Sequence, residues 1–219
     1  MRIHPVVALL VAVCAASRPA AVGAQAPAGT AASGFAVVVA SADTVVALRA
    51  GGFALYLRHG ATDNARPDRV PAVDLADCST QRPLSDEGRS TAARVGAALR
   101  DAGIPTGEIH VSPMCRTRDT ATAAFPGRSV VEDDRLVYTA NLTDAQKAPI
   151  LERTRALLSA PVPAGTNRLL IAHAPNLMDL IGYFPTETTL VVFRPRGEGQ
   201  FDYVASIPAD LWPSLPGGR

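Results

Sequence analysis

Three short apolar runs in this 219-residue chain end on residues of the same character, and that pattern constrains its fold more than any other feature. Phe53-Ala54-Leu55-Tyr56-Leu57 closes on Arg58-His59-Gly60. Ile109-His110-Val111-Ser112 leads through Pro113-Met114-Cys115 to Arg116, and Leu169-Leu170-Ile171-Ala172 runs straight into His173. Runs this short and this apolar suit strands covered on both faces, as in parallel sheets. Open α/β sheets gather their chemistry where strands emerge at their carboxyl ends. If the three strands are parallel, two arginines and two histidines converge on one edge of one sheet.

The segments between these runs alternate with them. A short helix is predicted over Ser41 to Ala50, stopped by Gly51-Gly52. Ser85 opens a longer helix to about Ala102, with Ala92, Val95, Ala98 and Leu99 at helical spacing and Gly103 as its stop. Further helices are predicted over Arg116 to Ala124, about Thr143 to Leu158, and about Asn176 to Ile181, with a brief strand at Ser129 to Val131. The stretch Ala61 to Arg82 is rich in Asp, Pro and Arg, has no sustained periodicity, and reads as a long functional loop. Thr189 to Phe193 and Phe201 to Ile207, separated by Arg196-Gly197-Glu198-Gly199, read as a terminal hairpin. The expected fold is a three-layer α/β/α sandwich: a mainly parallel sheet with an antiparallel edge hairpin.

The chain opens with a basic start (Arg2, His4), an apolar core from Val6 to Ala16, and small residues at Ala21-Val22-Gly23-Ala24. This reads as a secretory signal over residues 1–24, followed by a linker over 25–40 and one domain over 41–219. The apolar core is shorter than the roughly 20 residues a bilayer span needs, so no stable membrane insertion is expected after cleavage. The expected location is periplasmic or secreted. A net charge of +1 leaves no broad basic surface, which argues against nucleic acid as a partner. Of the three cysteines, Cys14 leaves with the signal. Cys78 and Cys115 then meet an oxidising compartment and are expected to join, two buried free thiols being the other outcome.

Arginines and histidines at one edge suit a phosphate monoester. Arg58 and Arg116 offer charge and bidentate geometry to its oxygens. A neutral imidazole is a competent nucleophile toward phosphorus, and flanking guanidinium groups keep it unprotonated, a role that fits His59. His173 could donate to the phosphoryl oxygens as charge builds. Read from context, His110 is structural, and Met114 and Tyr56 are packing residues. No Gly-x-Ser-x-Gly elbow, Gly-Lys-Ser/Thr phosphate loop or zinc-like His cluster is present.

Four blocks in order carry a resemblance. Leu57-Arg58-His59-Gly60-Ala61-Thr62, Leu84-Ser85-Asp86-Glu87-Gly88, Ser112-Pro113-Met114-Cys115-Arg116-Thr117-Arg118-Asp119-Thr120-Ala121 and Ala172-His173-Ala174-Pro175-Asn176 resemble the motifs of the histidine phosphatase superfamily, the phosphoglycerate-mutase-like group. The chain resembles a small secreted bacterial-type member from about Gly51 onward. The resemblance implies a phosphohistidine at His59, a phosphate pocket of Arg58, Arg116 and His173, no cofactor or metal, and a small phosphorylated substrate as partner. Thr62 and Asn176 become secondary substrate contacts, and Cys78 to Arg82 a stretch lining the entrance.

The departure is the proton donor. Many members carry a carboxylate two residues after a Leu beyond the second motif, where this chain has Leu136-Val137-Tyr138; another branch has Asp where this chain has Ala174. Glu187 is the candidate acid if the strand after it runs antiparallel, with Glu132, Asp133 and Asp134 as rivals. The expected activity is a phosphomonoesterase. The alternatives are a non-catalytic phosphate or phosphosugar binder with a degenerate site and, third, a phosphomutase.

Overall fold

The computed structural model describes residues 34–69 and 73–217; the predicted signal segment lies outside the described residues. In chain order the regular elements are α1 Ala42–Ala50, β1 Ala54–Arg58, α2 Asp86–Asp101, β2 Thr106–Val111, α3 Cys115–Ala124, β3 Val131–Glu132, α4 Asp144–Ser159, β4 Asn167–Ala172, α5 Ala174–Ile181, β5 Leu190–Gly197 and β6 Gln200–Ile207. The strands form one sheet in the order β3-β2-β4-β1-β5-β6. β1 to β4 run parallel to one another, β5 is antiparallel to β1, and β6 is antiparallel to β5. This is the expected sandwich with its hairpin at one edge.

Strand alternation explains why β1 is apolar throughout. Leu55 and Leu57 enter a core shared with Val45 and Leu48 of α1, Val95 and Leu99 of α2, and Ala121 of α3. Ala54 and Tyr56 point the other way, onto Leu157 and Leu158 of α4 and Leu177 of α5. Successive side chains face opposite sides of a sheet, so a strand sandwiched between helix layers has no polar face. At the start of α2 the Ser85 hydroxyl accepts from the Gly88 N–H at 3.0 Å, while Asp86 and Glu87 complement the positive end of the helix.

The brief strand is Val131–Glu132 rather than Ser129 to Val131, α5 starts at Ala174 rather than about Asn176, and three larger departures from the sequence reading have local reasons. β2 begins at Thr106 rather than Ile109, because the polar Thr106-Gly107-Glu108 stretch pairs with β4 through an irregular register that leaves no apolar signal. The hairpin strands extend to Gly197 and Gln200, closed by Glu198-Gly199, both at positive φ as a tight hairpin turn requires. Residues 34–40, read as linker, lie along β6: Ala40 N–H donates to the Ser206 carbonyl at 3.1 Å, Ser206 N–H to the Val38 carbonyl at 2.8 Å, and the Phe35 ring stacks on Tyr183. β6 would otherwise be an open edge, and an extended segment satisfies its backbone groups.

Asn167 joins three segments near the amino ends of the parallel strands. It is fully buried; its Nδ2 donates to the Leu48 and Pro105 carbonyls, and its Oδ1 accepts from the Phe53 N–H. Asn167→Ala would leave the buried Phe53 N–H without its acceptor and take one of two donors from the Leu48 and Pro105 carbonyls, and a loss of about 2 kcal/mol in urea unfolding is expected. A loss within the error of the parent would remove this side chain as a structural pin.

Candidate active site

β4 lies between β1 and β2, so the carboxyl ends of three parallel strands adjoin. His59 follows β1 directly. Its N–H donates to the Ala172 carbonyl of β4 at 3.1 Å, and its carbonyl accepts from the Thr188 N–H at 3.2 Å. The His59 Nδ1 lies 2.8 Å from the Gly60 carbonyl, a contact that needs a proton on Nδ1 and leaves the lone pair on Nε2. Gly60 is required by a close approach: a Cβ there would stand 2.7 Å from the Gly88 carbonyl oxygen, and one on Gly88 would collide with Ala61. Two of the four motif blocks are thus pressed together backbone to backbone.

The two arginines arrive from different elements. Arg58 ends β1, donating Nη1 to the Pro185 carbonyl at 2.6 Å and Nη2 to Glu187 Oε1 at 2.5 Å. Arg116 sits in the first turn of α3, fully buried, with Nη1 on Asp68 Oδ1 at 3.1 Å and its guanidinium 5.2 Å from the Tyr138 ring centre. His173 caps α5 and is also fully buried. The Tyr56 hydroxyl donates to its carbonyl at 2.8 Å and accepts from its N–H at 3.0 Å, which fixes the backbone from both sides. The His173 Nε2 lies 2.9 Å from Ser112 Oγ, and its ring centre is 5.3 Å from that of His59.

Among the described residues eight buried side-chain polar atoms lack a partner, and five of them belong to this cluster: Arg58 Nε, Arg82 Nε, Arg116 Nε, Arg116 Nη2 and His173 Nδ1. Buried donors are almost always satisfied, so such a concentration marks a place prepared for an absent acceptor. An open cavity of about 310 Å³ adjoins it, walled by Arg58, His59, Thr62, Arg82, Tyr138 and Glu187 among others.

Burial and the neighbouring Arg116 charge push the His59 imidazole down to about 3, and burial, Arg116 and His59 hold His173 well below the ordinary histidine value. Both are therefore neutral in the folded protein near pH 7. Below about pH 6.5 the unfolded chain binds protons that the folded one excludes, so stability falls as pH drops from about 6.5 toward 3. Each histidine contributes a slope of up to about 1.4 kcal/mol per pH unit. Urea unfolding between pH 7 and 5, in buffer free of phosphate, is expected to steepen accordingly. His59→Gln should flatten that slope; an unchanged slope would contradict the burial argument.

The structure brings Arg58, His59, Arg116 and His173 together, places Thr62 and Glu187 on the cavity wall, and bonds Cys78 to Cys115. It corrects Asn176. That side chain is fully buried and donates Nδ2 to the Val137 carbonyl at 2.9 Å, so it shapes the loop bearing Tyr138 rather than meeting a substrate. The rival acids are turned elsewhere: Glu132 pairs with Arg118, Asp133 with Arg153, and none of Glu132, Asp133 and Asp134 lines the cavity. His110 stays outside the cluster, 2.9 Å from Glu108. In the Cys78 to Arg82 stretch Arg82 does line the cavity, whereas Gln81 turns inward to accept from the Cys115 N–H at 2.8 Å. Sequence reasoning missed Asp68 on Arg116, and Phe184, whose ring lies 5.1 Å from the Arg58 guanidinium. Neither sits in a motif; both reach the site only through the course of a loop.

Residues 55–140 match the family model of the histidine phosphatase superfamily (branch 1). The matched stretch holds three of the four motif blocks, with His59 and Arg116, and ends before His173. Among solved structures the chain is similar to the protein histidine phosphatase SixA complexed with tungstate, at a TM-score of 0.50 and 16% identity, over 72% of this chain and 97% of that one. It is also similar to the product of an open reading frame of Mycobacterium tuberculosis, at 0.51 and 18%, over 70% and 95% respectively. At these identities the likeness establishes the fold. No curated protein matches the sequence. Among the described residues no helix is long and apolar enough to cross a membrane, and no group of three or more His, Cys, Asp or Glu side chains is placed to hold a metal ion.

Proposed function

We propose that this chain is an exported, periplasmic or secreted phosphomonoesterase that works without a metal through a phosphohistidine on His59. The observation that carries this reading is the group of unsatisfied N–H donors on Arg58, Arg82 and Arg116, with the unpartnered Nδ1 of His173, around an imidazole whose Nε2 lone pair is free. A phosphate dianion supplies the acceptors these donors lack. The Nε2 lone pair attacks phosphorus in line, the bond from phosphorus to the ester oxygen breaks, and the leaving oxygen takes a proton. Water then attacks the phosphohistidine, giving up a proton as phosphate departs and His59 is regenerated. The arginines and His173 hold the equatorial oxygens through both steps.

Glu187 is the proposed proton donor and, in the second step, acceptor. The turn before antiparallel β5 carries it to the cavity wall beside Arg58. Release of a chromogenic aryl phenol from its phosphate in EDTA tests the main reading. Absence of turnover from acid to neutral pH would leave a phosphate binder without catalysis. Glu187→Gln is expected to lower hydrolysis of an alkyl phosphate by about 100-fold and of an aryl phosphate far less, because a phenolate leaves without a proton. Equal losses on both substrates would remove Glu187 from this role.

A further inference from the structure

A second and larger cavity, about 910 Å³, is at the other end of the sheet, next to Thr106 at the start of β2 and Thr166 just before β4. Three arginines line it: Arg49 of α1, Arg100 of α2, and Arg128 beyond α3. No Asp or Glu is among its lining residues, and none of the three arginines pairs with a carboxylate among the described residues. A chain of net charge +1 has thus collected three unneutralised guanidinium groups in one cleft.

These side chains are held in place. Arg49 donates Nε to the Ala102 carbonyl at 2.6 Å and Nη2 to the Pro216 carbonyl at 3.3 Å. Arg100 donates Nη1 to the Ala124 carbonyl at 2.7 Å, and Arg128 donates Nη2 to the carbonyls of Thr106 and Gly107 at 2.9 and 2.8 Å. Each anchor removes side-chain freedom that binding would otherwise have to remove. Each also leaves further N–H groups with no acceptor among the described residues: Arg49 Nη1, Arg100 Nε and Nη2, and Arg128 Nε and Nη1. The buried side chains of Ile104 and Phe125, with Pro105 and Pro126, supply an apolar part of the lining. We propose that this cleft is a second binding site, for a ligand carrying two or more oxyanion groups, spatially separate from the His59 centre and independent of its chemistry.

Planar guanidinium forks match phosphate, sulfate and carboxylate geometry, and a single anion would engage only part of three of them. The ligand class is therefore a linear oligophosphate or a multiply sulfated or phosphorylated small glycan, whose apolar ring faces would meet Phe125 and the prolines. Tripolyphosphate and a sulfated disaccharide are the probes that separate the two sources.

Calorimetric titration of the whole protein with tripolyphosphate is expected to resolve two sites, of which excess orthophosphate blocks only the one at His59. Arg100→Gln with Arg128→Gln should weaken the second site at least about tenfold, since each charged hydrogen-bonded contact is substantial. Hydrolysis of the aryl phosphate and the circular dichroism spectrum should be unaltered. Thr106→Glu, which adds a carboxylate to the wall without disturbing an arginine anchor, should have the same effect if the double variant fails to fold. A single site fully displaced by orthophosphate, or a second site indifferent to both variants, would overturn the proposal. Tighter binding of the disaccharide than of tripolyphosphate would assign the cleft to glycans, and the reverse to oligophosphates.

Discussion

His59→Ala is expected to lower kcat on an aryl phosphate by about 10⁴-fold or more, the scale on which loss of a covalent nucleophile acts. The reason lies in the division of labour within the site. Arg58, Arg116 and His173 come from the end of β1, the first turn of α3 and the residue after β4, so removing the His59 imidazole leaves most of the anion cradle in place. Orthophosphate should still bind the variant, within about tenfold of the parent, because charged hydrogen bonds to the arginines supply most of the affinity. Turnover above about a hundredth of the parent would mean that His59 is not the group that attacks phosphorus. Loss of phosphate binding together with turnover would instead make His59 a structural part of the cradle.

Opening the disulfide has the second largest expected consequence. Cys78 and Cys115 are 37 residues apart and bonded, which joins the long loop to the first turn of α3. In the chain-entropy model a closed loop of this length restricts the unfolded chain by about 4 kcal/mol. Cys78→Ser with Cys115→Ser should lower the melting temperature by about 8–16 °C, given the usual scaling for a chain of this size. Activity should fall as well at temperatures where the fold survives. Arg116 follows Cys115 directly, and Asp68 and Gln81 reach α3 from the same loop that Cys78 anchors. A melting temperature within about 2 °C of the parent would show that packing alone holds the loop.

The motif histidines and arginines were legible because their position at strand ends follows from an elementary pattern: apolar runs buried on both faces must surface at one end. The cysteine pairing was legible as an expectation because, with Cys14 assigned to a predicted signal, two cysteines remain. Glu187 was readable conditionally, since its reach depended on the direction of the strand after it, and β5 does run antiparallel to β1. Asn176 shows the opposite limit. Its place beside a motif histidine suggested a substrate contact, but on the buried side of α5 its amide meets the Val137 carbonyl. Neighbourhood in sequence does not set the direction of a helical side chain relative to the packed layers.

The sequence by itself determined which strands carry the site and which of their ends bear cations and imidazoles; the close approach that requires Gly60 and Gly88 belongs to the tertiary structure. Local sterics and alternating burial act over a few residues, and a sequence displays them directly. Only the tertiary structure decided that Asp68 bonds Arg116, that Tyr56 holds His173 by both backbone groups, and that Arg49, Arg100 and Arg128 share a cleft. These contacts join residues tens of positions apart, on different elements. Their geometry follows from how whole layers pack, and no spacing in the chain encodes it.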